Sequence, residues 1–146
     1  MYLISSCLVG VNCRYNGTST CEAFLKKLID EGKAISVCPE VLAGLPTPRE
    51  SCEIITESPS VKVKSKTGSD FTKEFKTGAS KVLEICKQYK VTTAILQSRS
   101  PSCGFGKIYS GEFDGKLIEG NGVTADLLFE NSIKIYNESN WELKEG

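Results

Sequence analysis

The run Val91-Thr92-Thr93-Ala94-Ile95-Leu96-Gln97 passes directly into Ser98-Arg99-Ser100-Pro101-Ser102-Cys103-Gly104. The first half, rich in β-branched and apolar residues, reads as a buried strand over 92–97. The second half, with three serines, a proline and a glycine, reads as a stiff loop that carries a thiol. A buried strand that needs no polar alternation belongs to a parallel sheet covered on both faces.

Working outward, the same pattern appears twice more. "YLISS", residues 2–6, is a short strand ending at Cys7, and "AISV", residues 34–37, ends at Cys38. Between them a helix is expected to start near Ser19, with Glu22 at capping-box spacing. Its apolar face would hold Cys21, Phe24, Leu25, Leu28 and Ile29, and Gly32 would end it. A second helix is expected over about 71–89, capped by Ser69 or Asp70, with Phe71, Phe75, Ala79, Val82, Leu83 and Cys86 as its stripe. "VTADLLFEN" gives a short third helix, and "IKIYN", residues 133–137, a last strand. The stretch 51–64 contains Pro59 and is expected to form irregular strands ending in a mobile hairpin or edge. The Asp-Gly pair in "GEFDGKLIEG" marks another hairpin. The expected fold is α/β: residues 1–146 as a single domain, a mainly parallel open sheet of Rossmann-like or flavodoxin-like type, flanked by helices, with a small β-hairpin insertion.

Composition narrows the function. Lys+Arg and Asp+Glu balance at 18 each, so no net field draws nucleic acid or an acidic membrane, and neither is an expected partner. No run is apolar enough for a membrane span, and "MYLISSCLVG" reads as a first strand rather than a signal segment. A cytoplasmic location is expected. Histidine is absent, which removes the commonest general base and the histidine metal ligands. Cysteine occurs seven times, an odd count that argues for reduced thiols over a disulfide framework.

In an open parallel sheet, sites form beyond the carboxyl ends of the strands. Cys7, Cys38 and Cys103 are delivered there from three separate loops. Cys21 and Cys86 fall on apolar helix faces and read as small hydrophobes, as does Cys52. Cys13 is left outside the set. Three thiolates without histidine suit a soft metal or an iron–sulfur cluster. Structural zinc would want a fourth protein ligand, which is not evident. A [4Fe–4S] cluster on three thiolates keeps one iron open as a Lewis acid. Glu40, two residues past Cys38 and stiffened by Pro39, is the expected proton carrier, its pKa raised by partial burial. Ser100 is placed to hydrogen-bond substrate or water. Arg14, Arg49 and Arg99 are expected to neutralise a cluster or hold an anionic group. Ser98 and Ser102 read as loop caps. "GNGVT" offers either helix-start amides for a ligand or a plain helix entry.

Taken together, "SSCLVGVNCRYNG", "CPEVLAGLPTPRE", "SRSPSCG" and "GNGVTADLL" resemble the thiouracil desulfurase (TudS-like) family, long catalogued as a bacterial domain of unknown function. The resemblance implies a [4Fe–4S] enzyme that converts a small thiolated base such as 2-thiouracil to its oxo form and sulfide, without net redox change. Carried over by motif, the ligands are Cys7, Cys38 and Cys103, and the catalytic pair is Glu40 and Ser100. Apart from the resemblance, the loop residues Arg14, Arg49, Arg99 and Ser102 are the expected substrate contacts. The family's "RYDG" stands here as Arg14-Tyr15-Asn16-Gly17, which keeps the turn and removes a carboxylate. Such a cluster is expected to be oxygen-labile and absent from protein handled in air. Two other readings stay open: a non-enzymatic carrier of zinc, cluster or sulfur that uses the same cysteines, and a plain domain whose thiols lie apart.

Overall fold

Four short strands lie side by side and run in the same direction: β1 (Tyr2–Ser5), β2 (Ala34–Val37), β5 (Thr93–Leu96) and β8 (Lys134–Asn137), in the order β2-β1-β5-β8. A computed structural model describes residues 1–57 and 60–141. The helices are α1 (Ala23–Asp30), α2 (Pro39–Leu42), α3 (Thr72–Gln88) and α4 (Val123–Glu130). Alternation along the central strands divides the core in two. Leu3, Ala94 and Leu96 pack with Val82 and Cys86 of α3 and with Ala125 and Leu128 of α4. Ile4 and Ile95 pack on the other face, with Leu25 of α1 and with Cys7, Leu8 and Cys13. The expected parallel α/β architecture is therefore present, with both faces of the sheet covered.

Two antiparallel pairs are added, in the two regions where hairpins were expected. β3 (Cys52–Glu57) pairs with β4 (Ser60–Ser65), and β6 (Lys107–Tyr109) pairs with β7 (Leu117–Glu119). The first is a regular ladder rather than the irregular stretch anticipated around Pro59, which itself lies outside the described residues. Its regularity has a tertiary cause. Ile54 and Val63 are buried against Phe75 of α3 and Ile108 of β6, and Glu53 accepts backbone N–H bonds from Gly111 and Phe113 at 2.9 and 3.2 Å.

The first helix starts at Ala23, four residues after the expected Ser19. The intervening chain is used otherwise: Thr20 N donates to Cys7 O and Glu22 N to Leu8 O, both at 2.8 Å, and Ser19 Oγ donates to Asn12. These bonds draw the segment alongside the Cys7 loop. Cys21 and Phe24 consequently leave the expected buried face, and Phe24 is 61% exposed. The start of α3 is close to expectation, with Asp70 Oδ1 accepting the Thr72 N–H at 2.9 Å. Among the described residues, no helix is long and apolar enough to cross a membrane.

Candidate active site

The carboxyl ends of β1, β2 and β5 open onto one cavity of about 340 Å³. Cys7 leaves β1 in a one-turn 3-10 helix, Ser6–Leu8. Cys38 follows β2 directly, and Pro39 at the first helical position starts α2. Cys103 lies in the loop after β5. All three line the cavity, together with Glu40, Ser100, Arg14, Arg49 and Arg99.

Cys13, which the sequence reading left out, also lines it. Its thiol lies within hydrogen-bonding reach of Cys38 and of Cys7 and keeps its proton far above the usual thiol range. The same contact lowers Cys38, assisted by the Val41 backbone N–H, to about 7. Cys7 is lowered by Cys13 and then by the Arg14 guanidinium. Cys103 goes the other way: burial pushes its thiol up, opposed by a hydrogen bond with Ser5.

Arg49 is held by the protein itself, while its charge favours the Cys38 thiolate in keeping with a neutralising cation. Its side chain is only 7% exposed, and Nε donates to Glu40 Oε2 at 2.8 Å. Nη2 donates to Cys13 O at 2.8 Å, and Nη1 to Thr47 Oγ1 and Pro46 O. Its donors are spent on protein, so it positions Glu40 and the Cys13 turn rather than holding a substrate anion. Glu40, for its part, is partly buried as expected, and it is ion-paired as well.

Ser102 is a second correction. It is fully buried, shares a hydrogen bond with Thr124 Oγ1 at 2.8 Å, and does not line the cavity. Substrate contact is closed to it. The "GNGVT" amides are spent as well. Gly122 N, Val123 N and Thr124 N donate to Gly104 O, Pro101 O and Ser102 O at 2.6, 2.8 and 2.9 Å. The start of α4 thus grips the Cys103 loop, and Gly122 allows it: an added Cβ would stand 2.5 Å from Ser102 C and O.

Ser100 is half-buried, and its Oγ accepts the backbone N–H groups of Ser102 and Cys103, each at 3.0 Å. Arg99 is exposed beside it, with φ at +69°, a strained value for a non-glycine residue. Ser98 is fixed by both carboxylate oxygens of Glu138. Sequence reading did not find Glu138 or Gln97, because neither carries a local signal for its long-range partner.

Three features bear on whether a cluster fits. The thiols come from separate loops around a cavity, and among the described residues no group of three or more His, Cys, Asp or Glu is disposed to hold a single ion. A cluster differs in that each thiolate takes its own iron. Among the described residues Arg14 Nε is a buried donor without a hydrogen-bond partner, on a side chain that lies beside the Cys7 thiol. The donor set therefore suits an anionic, multi-iron group.

Residues 2–140 match the family model of 2-thiouracil desulfurase. The chain belongs to the 2-thiouracil desulfurase family. The uncharacterized protein YbbK of Bacillus subtilis (strain 168) is 43% identical over 145 residues, covering 95% of this chain and 96% of that protein. Among solved structures, the [4Fe-4S]-dependent thiouracil desulfidase TudS superposes with a TM-score of 0.90 at 38% identity, covering 97% of this chain and 93% of TudS.

Proposed function

We propose that this chain is a hydrolytic desulfurase, replacing the sulfur of a thiolated pyrimidine such as 2-thiouracil by oxygen and releasing sulfide. In this reading Cys7, Cys38 and Cys103 hold a [4Fe–4S] cluster. The observation that carries it is the convergence of three strand-end thiols with Glu40 and Ser100 on one cavity, in a member of this family. When bound, the cluster supplies an open iron, a soft Lewis acid suited to sulfur.

The chain's own groups supply the rest. Glu40 is oriented through Oε2 by Arg49, and Oε1 has no hydrogen-bond partner among the described residues. Oε1 takes a proton from the attacking water and later returns it to the departing sulfur. Ser100 Oγ carries two backbone N–H bonds, so negative charge at that oxygen is stabilised and its own proton is available to the substrate. Arg99, exposed at the rim and without an ion pair among the described residues, is a cation for a polar substrate edge. One water enters, one C–O double bond replaces one C–S double bond, and hydrogen sulfide leaves, so no electron is gained or lost.

The test is sulfide and uracil release from 2-thiouracil by anaerobically reconstituted protein. Equal amounts of both are expected, with Glu40→Gln retaining iron and losing roughly a hundredfold or more in turnover. Iron-loaded wild type that releases no sulfide from any thiolated pyrimidine would overturn the enzyme. Full turnover in Glu40→Gln would overturn its role.

A further inference from the structure

Two side chains in the cavity wall belong to none of these steps. Ser5 ends β1, and Gln97 follows β5 on the neighbouring strand. Gln97 N donates to Ser5 Oγ at 2.9 Å, which fixes the residue's backbone. Its side chain reaches back to the first loop, where Oε1 accepts the Cys7 Sγ–H at 3.2 Å. Ser5 is 3% exposed, and its hydroxyl lies against the sulfur of Cys103. The two residues thus form one hydrogen-bonded unit that touches two of the proposed cluster ligands, Cys7 and Cys103.

The contact as it stands suits a thiol, which has a proton to give. A thiolate bound to iron has none and only accepts. Left as it is, the carboxamide oxygen would then face a negative sulfur. The carboxamide has the same outline with oxygen and nitrogen exchanged, so a half-turn of its terminal bond brings Nε2–H to the sulfur. Donors to ligating sulfurs draw electron density from the metal, which raises the reduction potential and sharpens Lewis acidity.

We propose that Gln97 is a positioning residue whose Nε2 donates a hydrogen bond to the Cys7 thiolate in the loaded protein, held in place by Ser5, and so tunes the cluster. This rests on the cluster reading above. Gln97 also lines the cavity, so a purely substrate-facing role is the competing outcome.

The test uses anaerobically reconstituted wild type, Gln97→Met (similar volume, no donor) and Gln97→Glu (same outline, acceptor only). Iron per chain, midpoint potential from a spectroscopic redox titration, and KM for 2-thiouracil are measured. Gln97→Met is expected to load iron, with its midpoint potential shifted below wild type and its charge-transfer absorption displaced. Gln97→Glu is expected to shift further in the same direction and to lose iron faster. Should Gln97→Met not fold, the shift in Gln97→Glu decides alone. Wild-type potential and absorption in the variants, with or without a raised KM, would overturn the inference and leave the cluster reading standing. Wild type that takes up no iron would overturn both.

Discussion

The Cys38 loop and the Cys103 loop perform the same task on either side of β1 by different means. Residues 38–49 are secured by side chains: one guanidinium, that of Arg49, ties together Glu40, Cys13 O, Pro46 O and Thr47. Residues 97–104 are secured by separate side-chain acceptors and by backbone together. Ser100 Oγ gathers two N–H groups, the first amides of α4 take the loop carbonyls, and Gly104 and Gly122 permit approach that no Cβ would allow. One loop depends on a long side chain being present. The other depends on several separate acceptors and on two glycines that let backbone meet backbone.

The contrast is broken most severely at Gly122. Gly122→Ala places a methyl group against the Ser102 backbone, where no flexible neighbour can yield, and is expected to cost roughly 3 kcal/mol. Chemical denaturation measures this, and loss of iron loading should accompany it. Removing the guanidinium should do less damage, because Glu40 retains some access to water. Arg49→Met is expected to cost about 2 kcal/mol, and Arg49→Lys should recover only part, since an ammonium lacks the fork that spans four acceptors. Ser100→Ala removes one acceptor from two loop amides and should cost about 1 kcal/mol.

The comparison is sharpened without any substitution by alkylating the cluster-free protein. Cys38, lowered to about 7, is protonated and slow below that pH, and should reach its plateau rate above it. Cys103, pushed up by burial, should stay unreactive through the neutral range. Peptide mass spectrometry across pH reads both; equal rates at the two cysteines would contradict the contrast.

The same division explains what the sequence disclosed. The three cysteines could be placed because each directly ends, or closely follows, a strand, and parallel strands deliver their ends to one edge. The Cys103 loop hid its roles. Ser102 and Ser100 look alike in "SRSPSCG", and only the packing of α4 shows that one is sealed against Thr124 while the other faces the cavity. The Arg49–Glu40 pair was hidden by a proline-rich turn whose path no periodicity reports. Cys13 was missed because its place depends on a loop held by Arg49 and by its own turn, not on a strand end. Helix α1 began late because bonds from Thr20 and Glu22 to the Cys7 loop outweigh the capping box at Ser19.

The central claim is that three loop cysteines hold one cluster, and its most direct test is iron and acid-labile sulfide per chain after anaerobic reconstitution. Wild type and Cys13→Ser are expected to carry about four of each, while Cys7→Ser, Cys38→Ser and Cys103→Ser each lose the cluster. Little iron in wild type, or a full complement in any of those three variants, would contradict the account.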